Sequence, residues 1–338
     1  MREKTPIGSK KLSFLSLLVA VGLLAITFGI TLLATEPPVL AAALRATAPA
    51  PKTRTFRDDR GADVKVAGTP KRVAAISAFG ADLLYALGLR LPVAVTDIQG
   101  HLPTFLGRKI KGVPSLGQRT QPNLELLAES RPDLILAIRR YTEPFADKLE
   151  KIAPYAAFEL TTYQDSLRAV EVAADMLGQK AEGRRLNQEF ERKMEEYRKR
   201  APGGISAVFL WGGGEAPSGY YDHYMTTAIL RNLKAENIVG ASPTPHLVRP
   251  FAIRLSLEQL LKKDPDVIFV LFLQPKEKLQ VPNNPIWPRL KAVKSGRVYE
   301  VGMEWIEVHG PIARDVVLEQ AAHFLYPDVF SPPKPRGQ

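Results

Sequence analysis

The 338 residues include no cysteine. That absence excludes disulfides, thiolate metal sites, a cysteine nucleophile and a lipid-modified N-terminal cysteine. Histidine is scarce: His101, His223, His246, His309 and His323 are far apart and form neither an HxH nor an HExxH pattern. A bare zinc or manganese ion needs clustered nitrogen and carboxylate ligands, so direct metal binding by the chain is not expected. There is no Gly-x-Ser-x-Gly elbow and no complete phosphate-binding loop. The closest approach to a dinucleotide fingerprint, Gly212-Gly213-Gly214, meets Pro217 where a third glycine is needed, and Gly219 is followed by Tyr220 rather than lysine. A flexible cleft loop is the better reading of those glycines. With no acid–base pair standing out from ordinary surface charge, an α/β enzyme with a cleft site is only a distant alternative.

What is present is ordinary for a globular protein: 45% hydrophobic and 24% charged residues. The length suits two domains, each with its own core. The net charge of +11 favours an anionic partner. Nucleic acid also fits that sign, but the basic residues are scattered and no helix-turn-helix, finger or RNA-binding pattern occurs. Nucleic-acid binding is not expected.

Arg2, Lys4, Lys10 and Lys11 precede an apolar run from Phe14 to Ala34, and the small residues Ala41, Ala42 and Ala43 follow. This is the order of a secretory signal, although the run is long enough for an uncleaved anchor, and both readings stay open. Without a lipid-bearing cysteine, a periplasm is the expected location. Residues 1–43 carry four Lys/Arg and two Asp/Glu, a small part of the +11, so the positive balance belongs to the remainder. Residues 44–54 read as a Pro/Ala linker. Beyond them a hairpin is expected over Thr55–Val66, broken at Gly61, and then strands alternate with helices: strand Arg72–Ile76, helix Ala81–Leu87, strand Pro92–Thr96. The alternation predicts parallel α/β architecture. Residues 166–200 form the longest helical stretch. In its second part Leu186, Phe190, Met194 and Tyr197 make a narrow apolar stripe, the pattern of a helix that lies along a surface or bridges two bodies. The expected division is an N-terminal α/β lobe over 55–179, a bridging helix over 180–203, a C-terminal α/β lobe over 204–328 and a tail over 329–338.

The most informative feature is a repeat. Residues 123–137 read Asn-Leu-Glu-Leu-Leu-Ala-Glu-Ser-Arg-Pro-Asp-Leu-Ile-Leu-Ala, and residues 256–270 read Ser-Leu-Glu-Gln-Leu-Leu-Lys-Lys-Asp-Pro-Asp-Val-Ile-Phe-Val. Glu125 precedes Pro132, and Glu258 precedes Pro265, by the same seven positions. Asn123 and Ser256 are good N-caps, and an acid in the first turn suits the helix dipole, so taken alone the two glutamates have a structural explanation. The two lobes read as copies of one plan.

With Pro70-Lys-Arg-Val-Ala-Ala-Ile, Tyr85-Ala-Leu-Gly88 and Asn284-Pro-Ile-Trp-Pro-Arg-Leu-Lys-Ala-Val-Lys-Ser-Gly-Arg-Val-Tyr, these segments resemble the periplasmic binding proteins for ferric siderophores, ferric citrate, haem and cobalamin. The resemblance covers roughly residues 55–325. It implies two similar parallel-sheet lobes joined by a single long helix, with the ligand in the cleft between them. It also implies an ABC importer permease as partner, docked through one exposed glutamate per lobe, at positions matching Glu125 and Glu258. The run Gly117-Gln-Arg-Thr-Gln-Pro-Asn-Leu-Glu125 is similar to one in ferric hydroxamate and ferric citrate binders whose arginine faces the ligand; Arg119 is the matching position. A guanidinium suits chelate oxygens because it binds them two at a time. The expected cargo is an Fe(III)-siderophore whose iron is held by the chelate, with no intrinsic cofactor, and the protein is expected to be a monomer. Haem or cobalamin in the same fold are the alternatives, and haem would require an axial Tyr or His such as Tyr141, Tyr221 or His309.

Other candidate ligand contacts follow from position. Tyr141 and Trp211 end strands at the carboxyl side, where open α/β sheets bind ligands. Arg249 and Arg254 precede the second repeat as Arg119 precedes the first. Trp305 and His309 lie in the loop before the last helix, where the resemblance to hydroxamate binders implies an aromatic residue facing the ligand. Packing roles are as good an explanation for each of the aromatic residues.

Overall fold

A computed structural model of the chain describes residues 51–213, 216–244, 247, 250–274, 278 and 284–333. The expected export segment therefore lies outside the described residues, as does most of the linker. No helix among the described residues is long and apolar enough to cross a membrane.

Strands β1 (Thr53–Arg57) and β2 (Asp63–Ala67) form the expected antiparallel hairpin, turning at Gly61 in the left-handed region, and Val64 and Val66 of β2 point into the core. The first sheet contains β3 (Val73–Ile76), β4 (Ala94–Asp97), β5 (Ser115–Gln118), β6 (Leu134–Ile138) and β7 (Tyr155–Phe158) in the order β5-β4-β3-β6-β7, all parallel. Strands β3, β6 and β7 are buried along their whole length, as a parallel sheet covered on both faces requires. Helix α1 (Ala78–Ala86) follows β3 and α2 (Leu124–Glu129) follows β5.

The long helical stretch is two helices, α3 (Tyr163–Met176) and α4 (Lys180–Arg200), broken where Gly178 takes a positive φ. On α4 Phe190 and Met194 are buried as the stripe predicts, but Gly183 and Asn187 share that face. A Cβ at Gly183 would lie 2.5 Å from the Ala174 Cβ of α3, so glycine sets how closely the two helices approach. Asn187 donates its buried amide N–H to the Leu167 carbonyl at 2.8 Å. The opposite face is solvated, with Arg185 paired to Glu182 and Glu189 at helical spacing.

The second sheet gathers β8 (Ile205–Trp211), β9 (Ser218–Tyr220), β10 (Ala235–Asn237), β11 (Ala252–Arg254), β12 (Val267–Leu271) and β13 (Val298–Glu300). Its centre, β8-β12-β13, is parallel, and β10 joins the start of β8 in parallel. Strands β9 and β11 are antiparallel, so the second lobe is a mixed sheet rather than a plain copy of the first. Helices α5 (Met225–Asn232), α6 (Leu257–Lys263) and α7 (Pro311–Leu325) cover it. Helix α4 packs on α3 on one side and on α5 and α7 on the other.

The repeat has a physical basis in both lobes. Asn123 Oδ1 accepts the Glu125 and Leu126 N–H groups, while Ser256 and Gln259 make a reciprocal capping box. Arg131 and Asp264, each just before the proline, sit at φ +43° and +42°, which ends both helices with the same left-handed residue. The aspartate after each proline then anchors a neighbouring strand. Asp133 accepts the Lys71 and Arg72 N–H groups at 2.8 and 2.9 Å, just before β3. Asp266 accepts the Ser206 N–H at 2.8 Å, in β8.

Candidate functional site

The carboxyl ends of β4, β5 and β6 meet elements of the second lobe, and a cluster of charged and aromatic side chains forms there. Asp97 organises the first-lobe end: its carboxylate accepts the Ser115 hydroxyl at 2.8 Å and the Gly100 N–H at 2.9 Å, while its carbonyl accepts the Arg119 N–H at 3.2 Å. This places Arg119 directly beyond β5. Its guanidinium is buried, lies 4.8 Å from the centre of the Tyr141 ring, and pairs with Glu307 of the second lobe. Burial pulls it below the ordinary guanidinium value and the Tyr141 hydroxyl opposes this.

Strand β6 runs straight into the helical turn Arg139–Thr142. Arg140 thereby reaches the end of β7, donating to the Leu160 carbonyl at 2.7 Å and the Thr161 hydroxyl at 3.1 Å, and pairing with Glu159 at 3.3 Å. Its guanidinium lies 5.3 Å from the Tyr141 ring and 5.2 Å from the ring of Phe251 in the second lobe. Tyr141 is thus shared by two cations, each at cation–π distance. Phe251 continues into a stack with Tyr220 and Tyr224, whose centroids are 4.5 Å apart. Burial raises both phenols, Tyr224 to about 12, so these hydroxyls stay protonated.

His309 belongs to the same cluster, edge-on to Tyr224 at 5.9 Å. Burial, and then the Arg140 charge, push its pKa down to about 3, so the imidazole is neutral. Its Nε2 is buried without a hydrogen bond, as are Arg140 Nε, Ser77 Oγ and Thr96 Oγ1. Across the same mouth Gln274 Nε2 donates to Gln99 Oε1 at 3.0 Å.

The structure therefore brings together Arg119, Tyr141 and His309. Trp211 ends β8 half-buried, and Arg254 lies level with it two strands away, through the pairs Trp211–Ser218 and Ser218–Arg254. Arg254 is exposed there. Trp305 corrects an expectation. It is fully buried in the second-lobe core against Phe269 and Phe209, with its indole N–H donated to Gln320 at 2.6 Å. Arg249 falls outside the described residues. Sequence reasoning missed Arg140, Glu307, Tyr220, Tyr224 and Phe251. Arg140 was in view beside Tyr141, whereas Glu307, two residues before His309, carries no local pattern. Glu125 and Glu258 are both exposed in the first turns of α2 and α6. Hydrogen bonds from its own backbone and from Ser256 lower the Glu258 pKa.

Two other features bear on the site's chemistry. Among the described residues no group of three or more His, Asp or Glu side chains is placed to hold a metal ion. A cavity of about 670 Å³ opens beside α4, lined by Glu191, Glu195, Asp222, His223 and Arg231, among others. Its acidic lining makes it a poorer host for an anion than the arginine cluster.

Comparison with known proteins gives a consistent placement. A family described as Periplasmic binding protein matches residues 73–304. YhfQ of Bacillus subtilis, a lipoprotein assigned provisionally to ABC-transporter substrate binding, is 31% identical over 246 residues, covering 69% of this chain and 76% of the relative. The Fe(3+)-citrate-binding protein YfmC of Bacillus subtilis is 28% identical over 264 residues, covering 76% of this chain and 81% of the relative. The fold matches the crystal structure of the petrobactin-binding protein YclQ from Bacillus subtilis with a TM-score of 0.69 at 18% identity, over 81% of this chain and 99% of that one. The chain belongs to the periplasmic binding protein family.

Proposed function

We propose that this protein is the extracytoplasmic substrate-binding component of an ABC importer, and that its cargo is a ferric siderophore of citrate or hydroxamate type. The observation that carries this reading is the pair of guanidiniums, Arg119 and Arg140, held around Tyr141 where the two lobes meet. Carboxylate and hydroxamate oxygens of an iron chelate are the natural acceptors for such groups in a buried site. The name of the relative YfmC points to the same class of ligand. Iron is the cargo, held by the chelate. Tyr141, His309, Trp211 and the arginines at 249 and 254 are proposed to complete the contact surface, with Tyr220, Tyr224 and Phe251 added by the geometry.

On this reading residues 1–43 direct export or anchor the chain, lobes over 55–179 and 204–328, joined by the bridging segment 180–203, hold the ligand between them with modest closure, and the carrier works as a monomer. Exposed Glu125 and Glu258, one per lobe, dock it to arginines of the permease.

Tryptophan-fluorescence titration tests the cargo, since Trp211 ends β8 beside the cleft. Ferric citrate, ferric hydroxamates, a ferric catecholate, haem and cobalamin form the panel, each iron chelate with its iron-free form as control. A citrate or hydroxamate chelate should bind best, and Arg119→Ala should weaken it at least tenfold without changing the fold. Preference for haem or cobalamin, or unchanged affinity in the Arg119→Ala protein, would overturn the assignment.

A further inference from the structure

Glu307 is a second-lobe residue that spends both carboxylate oxygens on the first lobe. Oε1 pairs with the Arg119 guanidinium, and Oε2 accepts the Ala78 N–H at 3.3 Å. Ala78 is the first residue of α1, whose N-terminal groups carry partial positive charge. The residue placed to cap that end, Ser77, makes no capping bond, and its hydroxyl is buried without a partner. The acceptor for the α1 terminus thus comes from the other lobe. Both members of the ion pair are buried, with side chains 9% and 6% exposed. A carboxylate therefore occupies the two groups best suited to receive an anionic ligand.

We propose that Glu307 is the internal competitor for the anion site, a specificity-determining residue that an incoming ligand carboxylate or hydroxamate must displace from Arg119 and from the α1 terminus. This rests on the cargo reading above and deepens it. The consequence is selection by number of anionic groups. A ligand offering one carboxylate merely exchanges like for like, and leaves Glu307 without its partners, so it gains nothing. A chelate presenting several anionic oxygens replaces Glu307 on Arg119 and still has groups left for Arg140 and the phenols. The competitor thereby disfavours simple organic acids at a site whose guanidiniums would otherwise hold them.

Glu307→Gln removes the charge with little change of shape, and Glu307→Ala removes the competitor altogether. Each is compared with the unmodified protein by thermal melting and by fluorescence titration with ferric citrate. Both variants should bind ferric citrate about tenfold tighter, because the ligand no longer displaces a carboxylate from Arg119. If the unmodified protein binds ferric citrate and the folded variants bind it equally or more weakly, the competitor role is overturned while the cargo reading stands. If neither the unmodified protein nor the variants bind any ferric chelate, the cargo reading itself fails, and this inference with it.

Discussion

Asp82 offers the sharpest test of how the two lobes are joined. It lies on α1 of the first lobe, fully buried, and its carboxylate oxygens accept the Ile312 and Ala313 N–H groups, each at 2.8 Å. Those are the first free donors of α7 in the second lobe, since Pro311 has none. Gly310 makes the approach possible, because a Cβ there would lie 2.3 Å from the Asp82 carboxyl carbon. Truncation to alanine leaves two buried donors unpaired, at about 1–3 kcal/mol each, so Asp82→Ala should cost roughly 2–6 kcal/mol. Asp82→Asn is the more informative change. Burial raises the Asp82 pKa from the ordinary 3.8 to about 7, against the opposing pull of the two backbone N–H groups and of Arg314. A raised folded pKa means that the group's contribution is fully present below about pH 4 and is lost as pH rises through 7. That interval corresponds to about 4 kcal/mol. The stability gap between the unmodified protein and Asp82→Asn should therefore be largest near pH 4–5 and shrink by pH 8–9. Urea unfolding across that range, read as midpoint at constant slope, measures the gap. A gap that stays constant or widens with pH would refute the reasoning, because the helix terminus rather than burial would then set the carboxyl's charge.

Two further outcomes follow from other parts of the fold. Gly183→Leu should destabilise by about 2–3 kcal/mol, since a side chain there must push α4 off Ala174, and denaturant midpoints that hardly move would contradict the close approach. Glu125→Ala and Glu258→Ala should leave chelate affinity unchanged while slowing uptake into cells, and normal uptake by the double variant would remove the docking role.

The fold was legible wherever a local rule decided the backbone. The hairpin at Gly61, the buried strands Val73–Ile76 and Val267–Leu271, and the caps Asn123 and Ser256 all follow from short-range pattern. Less legible were β9 and β10, three-residue strands whose pairing depends on neighbours far along the chain. The buried face of α4 was half hidden because Gly183 and Asn187 do not look apolar, yet one permits contact and the other bonds a carbonyl. At the site, Arg119 stood out through the run it shares with ferric hydroxamate and ferric citrate binders, and Tyr141 because it follows a strand at its carboxyl end. Glu307 did not, because its meaning comes from the opposite lobe. Trp305 misled for a related reason. Its place before α7 made it a candidate ligand contact, but its indole is fully buried in the core.

Contacts between the lobes divide into two sets, and the division predicts how far the protein can open. One set is backbone-based and deep: Asp82 on the start of α7, the Met225 N–H on the Thr161 carbonyl at 2.8 Å, and the Ser166 hydroxyl on the His309 carbonyl at 2.7 Å. Arg314, fully buried, adds to it by donating to Ser166 and to the Leu186 carbonyl of α4. The other set is made of side chains: Arg119 with Glu307, Gln99 with Gln274, and Arg140 over Phe251. A ligand can replace contacts of the second kind, because its own oxygens offer equivalent partners. The first set is already satisfied within the protein: its donors are the N–H groups at the starts of α5 and α7, the Ser166 hydroxyl and the Arg314 guanidinium, each costing about 1–3 kcal/mol if left unpaired. Ligand exchange should therefore separate the side-chain set and leave the deep set intact, with the helix α4 too stiff to supply a hinge of its own. Small-angle scattering with and without ferric citrate should show a change in radius of gyration below about 1 Å. A compaction of about 2 Å or more would mean that the deep contacts break during binding, and would refute the division.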